Sequence, residues 1–106
     1  MSAMRKAAGG VPHVGVVGLG IMGSAMASNM LKAGFRVTGF DVVSGARVAL
    51  AKEGGKAARS AAEVARAASI VITSLPTPAA VESVAQEIAK TRRKGVIVVE
   101  TSTMPL

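Results

Sequence analysis

With 106 residues, half of them hydrophobic but only 2% aromatic, the chain has material for one domain whose core is built from Ala, Val, Ile, Leu and Met. It has no cysteine, which excludes a disulfide framework, no run near the roughly 18 apolar residues of a membrane span, and no apolar centre of a signal peptide within Met1 to Val11, so a cytoplasmic location is expected. The net charge of +7 comes from cations spread along the chain, with one cluster at Lys90, Arg92, Arg93 and Lys94 and no aromatic platform beside it, so that cluster reads as a charged helix end and no specific nucleic-acid site is expected.

Residues 1–11 show no periodic apolar pattern and are expected to form a flexible leader. The first strand then opens near His13, a single histidine with no acidic or nucleophilic neighbour, read as a strand-end residue and not a catalytic one. The apolar run Val14-Gly15-Val16-Val17 leads into Gly18-Leu19-Gly20-Ile21-Met22-Gly23 and then into good helix formers. This is strand, tight turn and helix, with a glycine role at each position: Gly18 for backbone angles that a Cβ forbids, Gly20 for close approach of a pyrophosphate, and Gly23 for close helix packing. The phosphates would lie at the helix N-terminus, on unpaired N–H groups and the positive dipole end.

The first helix is expected over Ile21 to Ala33, closed by Gly34 as a left-handed cap, with Met22, Met26 and Met30 as a packing stripe. Strand two, Phe35 to Phe40, ends at Asp41, which lies 23 residues after Gly18. That is where an acidic residue completes the dinucleotide fingerprint by accepting from both hydroxyls of the adenine ribose. A carboxylate there repels a 2′-phosphate, and Val42, Val43 and Ser44 supply no cation, so NAD is favoured over NADP, with Arg47 the one nearby cation.

Ser44 to Lys52 reads as a second helix capped by Ser44, followed by Gly54-Gly55 and a short third strand over 56–58. Ser60-Ala61-Ala62-Glu63 has capping-box spacing before a helix over Ala61 to Ala68. Ser69 to Ser74 has a buried-strand pattern, stopped by Leu75-Pro76; Thr77-Pro78 then caps a helix from Ala79 to about Arg93, with Val81, Val84 or Ala85, and Ile88 inward. Gly95 to Glu100 carries a continuously apolar fifth strand, expected to be buried on both faces.

Alternating strands and helices predict an α/β, Rossmann-type, doubly wound parallel sheet of order 3-2-1-4-5. The Gly18 turn, Asp41, the Leu75-Pro76 turn and the turn at Thr101-Ser102-Thr103 would all follow carboxyl ends of strands and line one crevice.

The string from Val16 to Asn29, with Lys32-Ala33-Gly34-Phe35, Leu75-Pro76 and Ser102-Thr103-Met104-Pro105, resembles the β-hydroxyacid dehydrogenases, the group of 3-hydroxyisobutyrate dehydrogenase, tartronate semialdehyde reductase and, more distantly, 6-phosphogluconate dehydrogenase. The resemblance runs from about Pro12 onwards. It implies that residues 12–106 are the NAD-binding domain of an oxidoreductase acting on a small 3-hydroxy acid or its semialdehyde. Gly18, Leu19, Gly20, Ile21, Met22 and Gly23 would hold the pyrophosphate, Asp41 the ribose, Leu75 and Pro76 the cofactor between loops, Thr103 the nicotinamide end and Ser102 the substrate carboxylate. Some members carry Asn where this chain has Ala80, so no contact is carried over there, and many NADP-using relatives have Asn-Arg in place of Asp41-Val42.

Full members continue into a helical second domain with a catalytic lysine, and none of Lys6, Lys32, Lys52, Lys56, Lys90 or Lys94 lies in the matching motif. The chain therefore looks truncated before that domain, with no catalytic residue of its own, no metal site, cofactor binding without turnover, substrate reached only through the missing domain and a homo-oligomer expected for the full-length protein. A stand-alone dinucleotide-binding or regulatory module is the alternative from another class, and a basic nucleic-acid-binding module is the third.

Overall fold

The computed structural model describes residues 11–101. Five strands and four helices alternate: β1 (His13–Val17), α1 (Ile21–Lys32), β2 (Arg36–Phe40), α2 (Ser44–Lys52), β3 (Lys56–Ala57), α3 (Ala61–Ala67), β4 (Ile70–Thr73), α4 (Pro78–Lys90) and β5 (Ile97–Glu100). The strands form one sheet in the order β3-β2-β1-β4-β5, all pairs parallel, the doubly wound order expected from the sequence.

The unbroken apolar run of β1 is explained by its central place. Successive side chains of a strand point to opposite faces, and both faces of β1 are covered. Val16 enters a cluster with Leu19, Ala27, Val37 and Leu50 beneath α1 and α2. Val17 enters the other layer, with Ala61, Val64, Ala65 and Val71 of α3 and β4 and Ile88 of α4. Val16, Val17, Val64 and Val71 are essentially without exposed surface, each contributing about 1.5–3 kcal/mol by burial. The register aligns Phe40, Val17, Thr73 and Glu100 as one row at the carboxyl edge of the sheet.

The helix ends follow local chemistry, with two departures from the sequence expectation. Thr77 Oγ1 accepts from the Ala80 N–H at 3.1 Å with Pro78 in the first turn, and Ser60 Oγ accepts from the Glu63 N–H at 3.1 Å. Gly34, with φ of 95°, closes α1 while the Phe35 N–H reaches back to the Met30 carbonyl. Ser44, however, is the first residue of α2 and not its cap. Val43 occupies the cap and has no side-chain acceptor to offer, while its own N–H donates to the Asp41 carboxylate two residues earlier at 2.8 Å. The basic cluster also behaves differently from a simple charged helix end. α4 stops at Lys90, Arg92 turns left-handed with φ of 53°, and Arg93 donates to the carbonyls of Ala65 (2.5 Å) and Ala68 (2.7 Å), closing the C-terminus of α3 instead of its own helix.

Two apolar segments are less buried than their patterns suggest. The apolar run of β5 reads as covered on both faces, whereas its place at the edge of the sheet, without a sixth strand or covering helices, predicts exposure, and Ile97, Val98 and Val99 are 59%, 45% and 43% exposed. β5 is the edge strand, paired only to β4 among the described residues, so its hydrophobicity meets no second neighbour. In the methionine stripe only Met30 packs against the core beneath α1; Met22 is half exposed, and Gly23 and Ala27 form the buried face. No helix among the described residues is long and apolar enough to cross a membrane.

Candidate cofactor site

The turn after β1 is clamped on both sides: the Gly18 N–H donates to the Phe40 carbonyl and the Ser74 N–H to the Val17 carbonyl, each at 2.9 Å. The three glycines have separable causes. Gly18 has φ of 98°, and a Cβ there would lie 2.0 Å from the Ser74 carbonyl oxygen. A Cβ on Gly23 would lie 1.7 Å from the Gly18 carbonyl oxygen, so Gly23 lets the helix rest on the turn itself. Gly20 differs. Its φ of −71° is open to any residue and a Cβ would meet nothing within 4 Å, so nothing among the described residues requires glycine there. Gly20 lines the crevice described below.

Gly20 is also the N-cap of α1, with no side-chain cap and no acidic residue in the first turn. The first helical bond runs from the Ser24 N–H to the Gly20 carbonyl, so the N–H groups of Ile21, Met22 and Gly23 have no acceptor within the helix. A helix end with free donors, no competing carboxylate and an open glycine fits a diphosphate.

Asp41 stands across from this turn. Its Oδ2 accepts from the Leu19 N–H at 2.7 Å and its Oδ1 from the Val43 N–H at 2.8 Å. The carboxylate thus ties the glycine turn to the loop after β2. Each carboxylate oxygen has room for about two donors, so both retain capacity for a ribose hydroxyl. Arg47 lies alongside, its Nη1 donating to the Asp41 carbonyl at 2.6 Å and its guanidinium 5.9 Å from the centroid of the Phe40 ring.

A crevice of about 770 Å³ opens at this place, within the range of small-molecule sites. It lies beyond the carboxyl ends of β2, β1 and β4, where the strand order reverses. Of the residues singled out from the sequence, Gly18, Gly20, Met22, Asp41, Leu75 and Pro76 line it. Leu19 presents its N–H to Asp41 while its side chain packs in the core, Ile21 is 93% exposed and outside the lining, and Gly23 sits behind the turn. Ser102 and Thr103 lie outside the described residues.

One wall was not foreseen: Ala80, Ser83, Val84 and Glu87 of α4 face the crevice. Their i, i+3, i+4, i+7 spacing puts them on one face of the helix, next to the apolar stripe of Val84 and Ile88 that marks the core side in the sequence. Glu87 is held there because its Oε2 accepts the Ala62 N–H at the start of α3, at 2.8 Å.

The opposite end of the sheet is basic. Lys32, Lys52, Arg66 and Lys90 lie in the last turns of the four helices, Arg36 and Lys56 open β2 and β3, and Arg92, Arg93 and Lys94 precede β5. Cations spread along the sequence are gathered there because helices in such a fold run back to the amino ends of the strands. His13 is at this end too, bonded to Thr38 Oγ1 at 2.7 Å; burial, then the charges of Arg36, Lys56 and Arg93, lower its pKa below the ordinary 6.5.

A family model described as the NAD binding domain of 6-phosphogluconate dehydrogenase matches residues 13–106. The chain belongs to this family. As an NAD-binding domain of the β-hydroxyacid dehydrogenase group it is 38% identical over 97 residues to the mitochondrial 3-hydroxyisobutyrate dehydrogenase of Drosophila melanogaster, covering 91% of this chain and 30% of that protein. It is 43% identical over 70 residues to an NAD-dependent L-serine dehydrogenase of Pseudomonas aeruginosa, covering 66% of this chain and 24% of that one. Among solved structures, 3-hydroxyisobutyrate dehydrogenase of Mycobacterium tuberculosis, solved with L-serine, superposes with a TM-score of 0.84 at 33% identity, over 89% of this chain and 32% of that one. The domain therefore spans under a third of the relatives it matches. NAD is the cofactor of this domain family.

Proposed function

We propose that this chain binds NAD(H) through the crevice around Gly20 and Asp41 and serves as the cofactor half of an oxidoreductase acting on a small 3-hydroxy acid or its semialdehyde. The observation that carries the reading is Gly20, which lines the crevice at the uncapped start of α1 and where a Cβ would meet no described residue within 4 Å. The first-turn N–H groups of α1 would hold the pyrophosphate and Asp41 the adenine ribose, with NAD preferred to NADP because the carboxylate repels a 2′-phosphate. The apolar surfaces of Phe40, Val42, Val43, Ala80 and Val84 suit the adenine ring, and Leu75 and Pro76 would close the cofactor in from β4. In the same reading Thr103 meets the nicotinamide end and Ser102 the substrate carboxylate. The nicotinamide, when bound, supplies the hydride acceptor or donor.

Residues 11–101 offer no lysine at the crevice for the proton that accompanies hydride transfer. Lys32, Lys52 and Lys90 close helices at the far end, Lys56 opens β3 there and Lys94 precedes β5. Binding without turnover by this chain alone is the corresponding expectation. Calorimetric titration with NADH and NADPH, beside an Asp41→Ala variant, tests the reading. Saturable NADH binding that exceeds NADPH binding and weakens on substitution supports it. A folded chain that takes up neither nucleotide refutes it.

A further inference from the structure

We infer that Arg47 determines cofactor specificity at the ribose corner, as a positioning residue for Asp41 in this chain and as the cation that takes a 2′-phosphate once Asp41 is neutralised. The inference rests on the cofactor reading above and deepens it.

Arg47 sits near the start of α2, and both its contacts are to consecutive residues at the end of β2. Nη1 donates to the Asp41 carbonyl at 2.6 Å, and the guanidinium lies over the Phe40 ring at 5.9 Å. Phe40 and Asp41 both line the crevice. A full positive charge is therefore pinned, partly buried, within one residue of the carboxylate that is to meet the ribose. The sequence showed a cation six positions beyond Asp41; only the fold shows that the side chain turns back to that residue.

The chemistry of the two groups is opposite. A carboxylate accepts from a ribose diol and repels a phosphate dianion, whereas a guanidinium carries five donors in a planar fork that matches phosphate oxygens. The hydrogen bond to Asp41 engages Nη1, so the other donors of the fork are not consumed by it. While Asp41 is ionised, Arg47 acts through it: bonding the Asp41 carbonyl sets the loop from which the carboxylate reaches the Leu19 and Val43 N–H groups. Glu87 is the second acid lining the crevice, so the site carries two carboxylates, and Arg47, outside the lining itself, reaches it through its contacts to Phe40 and Asp41. Without Asp41, one of the two is gone and the guanidinium becomes the strongest partner for an added phosphate.

The test is a double-mutant cycle on the 106-residue chain, with NADH and NADPH dissociation constants for the unchanged chain, Asp41→Ser, Arg47→Met and the double variant, each checked for folding by its thermal melt. Asp41→Asn serves as a second neutral variant that keeps an amide oxygen for the Leu19 N–H. Neutralising Asp41 is expected to weaken NADH roughly 10- to 100-fold and to tighten NADPH roughly tenfold. Adding Arg47→Met is expected to erase the NADPH gain while leaving NADH within about threefold of the Asp41 variant. Arg47→Met alone is expected to weaken NADH about three- to tenfold, with Arg47→Lys recovering only part, because it restores the charge without the fork. A merely structural arginine would move both nucleotides equally, and that result overturns the proposal. So does an NADPH gain that survives Arg47→Met. If the folded, unchanged chain binds no NADH, the cofactor reading itself falls and takes Arg47 with it; if NADH binds but the cofactor ratio ignores Arg47, only the present inference falls.

Discussion

Replacing Gly20 and Gly23 separately with alanine distinguishes a glycine kept for a ligand from one kept for the fold. At Gly20 the added methyl meets nothing within 4 Å and φ is −71°, so alanine adopts the native backbone. Alanine is a poorer N-cap than glycine by about 0.5–1 kcal/mol, but it also removes roughly 0.4–1 kcal/mol of unfolded-state freedom. The two nearly cancel, and urea denaturation is expected to place Gly20→Ala within about 1 kcal/mol of the unchanged chain. At Gly23 the methyl would sit 1.7 Å from the Gly18 carbonyl oxygen, roughly half an ordinary contact, so the turn or the helix must move. Overpacking of that kind costs about 1–3 kcal/mol or more, a large part of the stability of a domain of this size. Binding separates the two in the other direction. In Gly20→Ala the methyl intrudes where a phosphate would meet backbone N–H groups, and losing one charge-assisted bond of about 1.5–3 kcal/mol weakens NADH roughly 10- to 100-fold. Calorimetric titration at a temperature where both variants remain folded reads this directly. A Gly20→Ala chain that is stable and binds NADH normally would remove the main support for a diphosphate at this turn.

Three further expectations concern stability and one concerns charge. Thr73 Oγ1 is buried without a hydrogen-bond partner among the described residues, so Thr73→Val, which keeps the shape and removes the hydroxyl, should stabilise by about 1 kcal/mol and raise Tm by about 4–8 °C; a fall in Tm would show that the hydroxyl has a partner such as an ordered water. Arg93→Ala removes the donor to the Ala65 and Ala68 carbonyls and should cost about 1–2 kcal/mol in urea, more than Lys94→Ala in the same turn. Because the folded state holds the His13 pKa below 6.5, the unfolded chain binds a proton that the folded chain refuses as the pH falls through 6.5; stability should drop from that point until the lower folded pKa is passed, and His13→Gln should flatten this part of the profile. The basic end should attract duplex DNA weakly at low salt and release it near physiological salt, whereas binding that persists there would point to a dedicated nucleic-acid surface.

What the sequence determined by itself is whatever short-range chemistry controls. The Val14 to Gly23 string specifies strand, left-handed turn and helix, since Gly18 and Gly23 each fail sterically with any side chain. The spacing to Asp41 places an acid at the end of the next strand, and alternating apolar strands and helices with right-handed crossovers imply a doubly wound parallel sheet, whose order the fold shows to be 3-2-1-4-5. Ser60 and Thr77 cap helices through bonds within three residues, so their roles were readable too. Only the tertiary structure decided the features that depend on partners distant in sequence. For β5 the sequence supports two readings, burial from its apolar run and exposure from its edge position, and the fold decides for exposure. Arg93 closes α3, which lies more than twenty residues earlier, and Glu87 reaches the crevice through a tether to Ala62. The cations look scattered in order of residue and are gathered in space because antiparallel helices return to the same end of a parallel sheet. Arg47 likewise is six residues from Asp41 in the chain and 2.6 Å from its carbonyl in the fold, a proximity that spacing alone does not determine because it depends on which way α2 turns its first side chains.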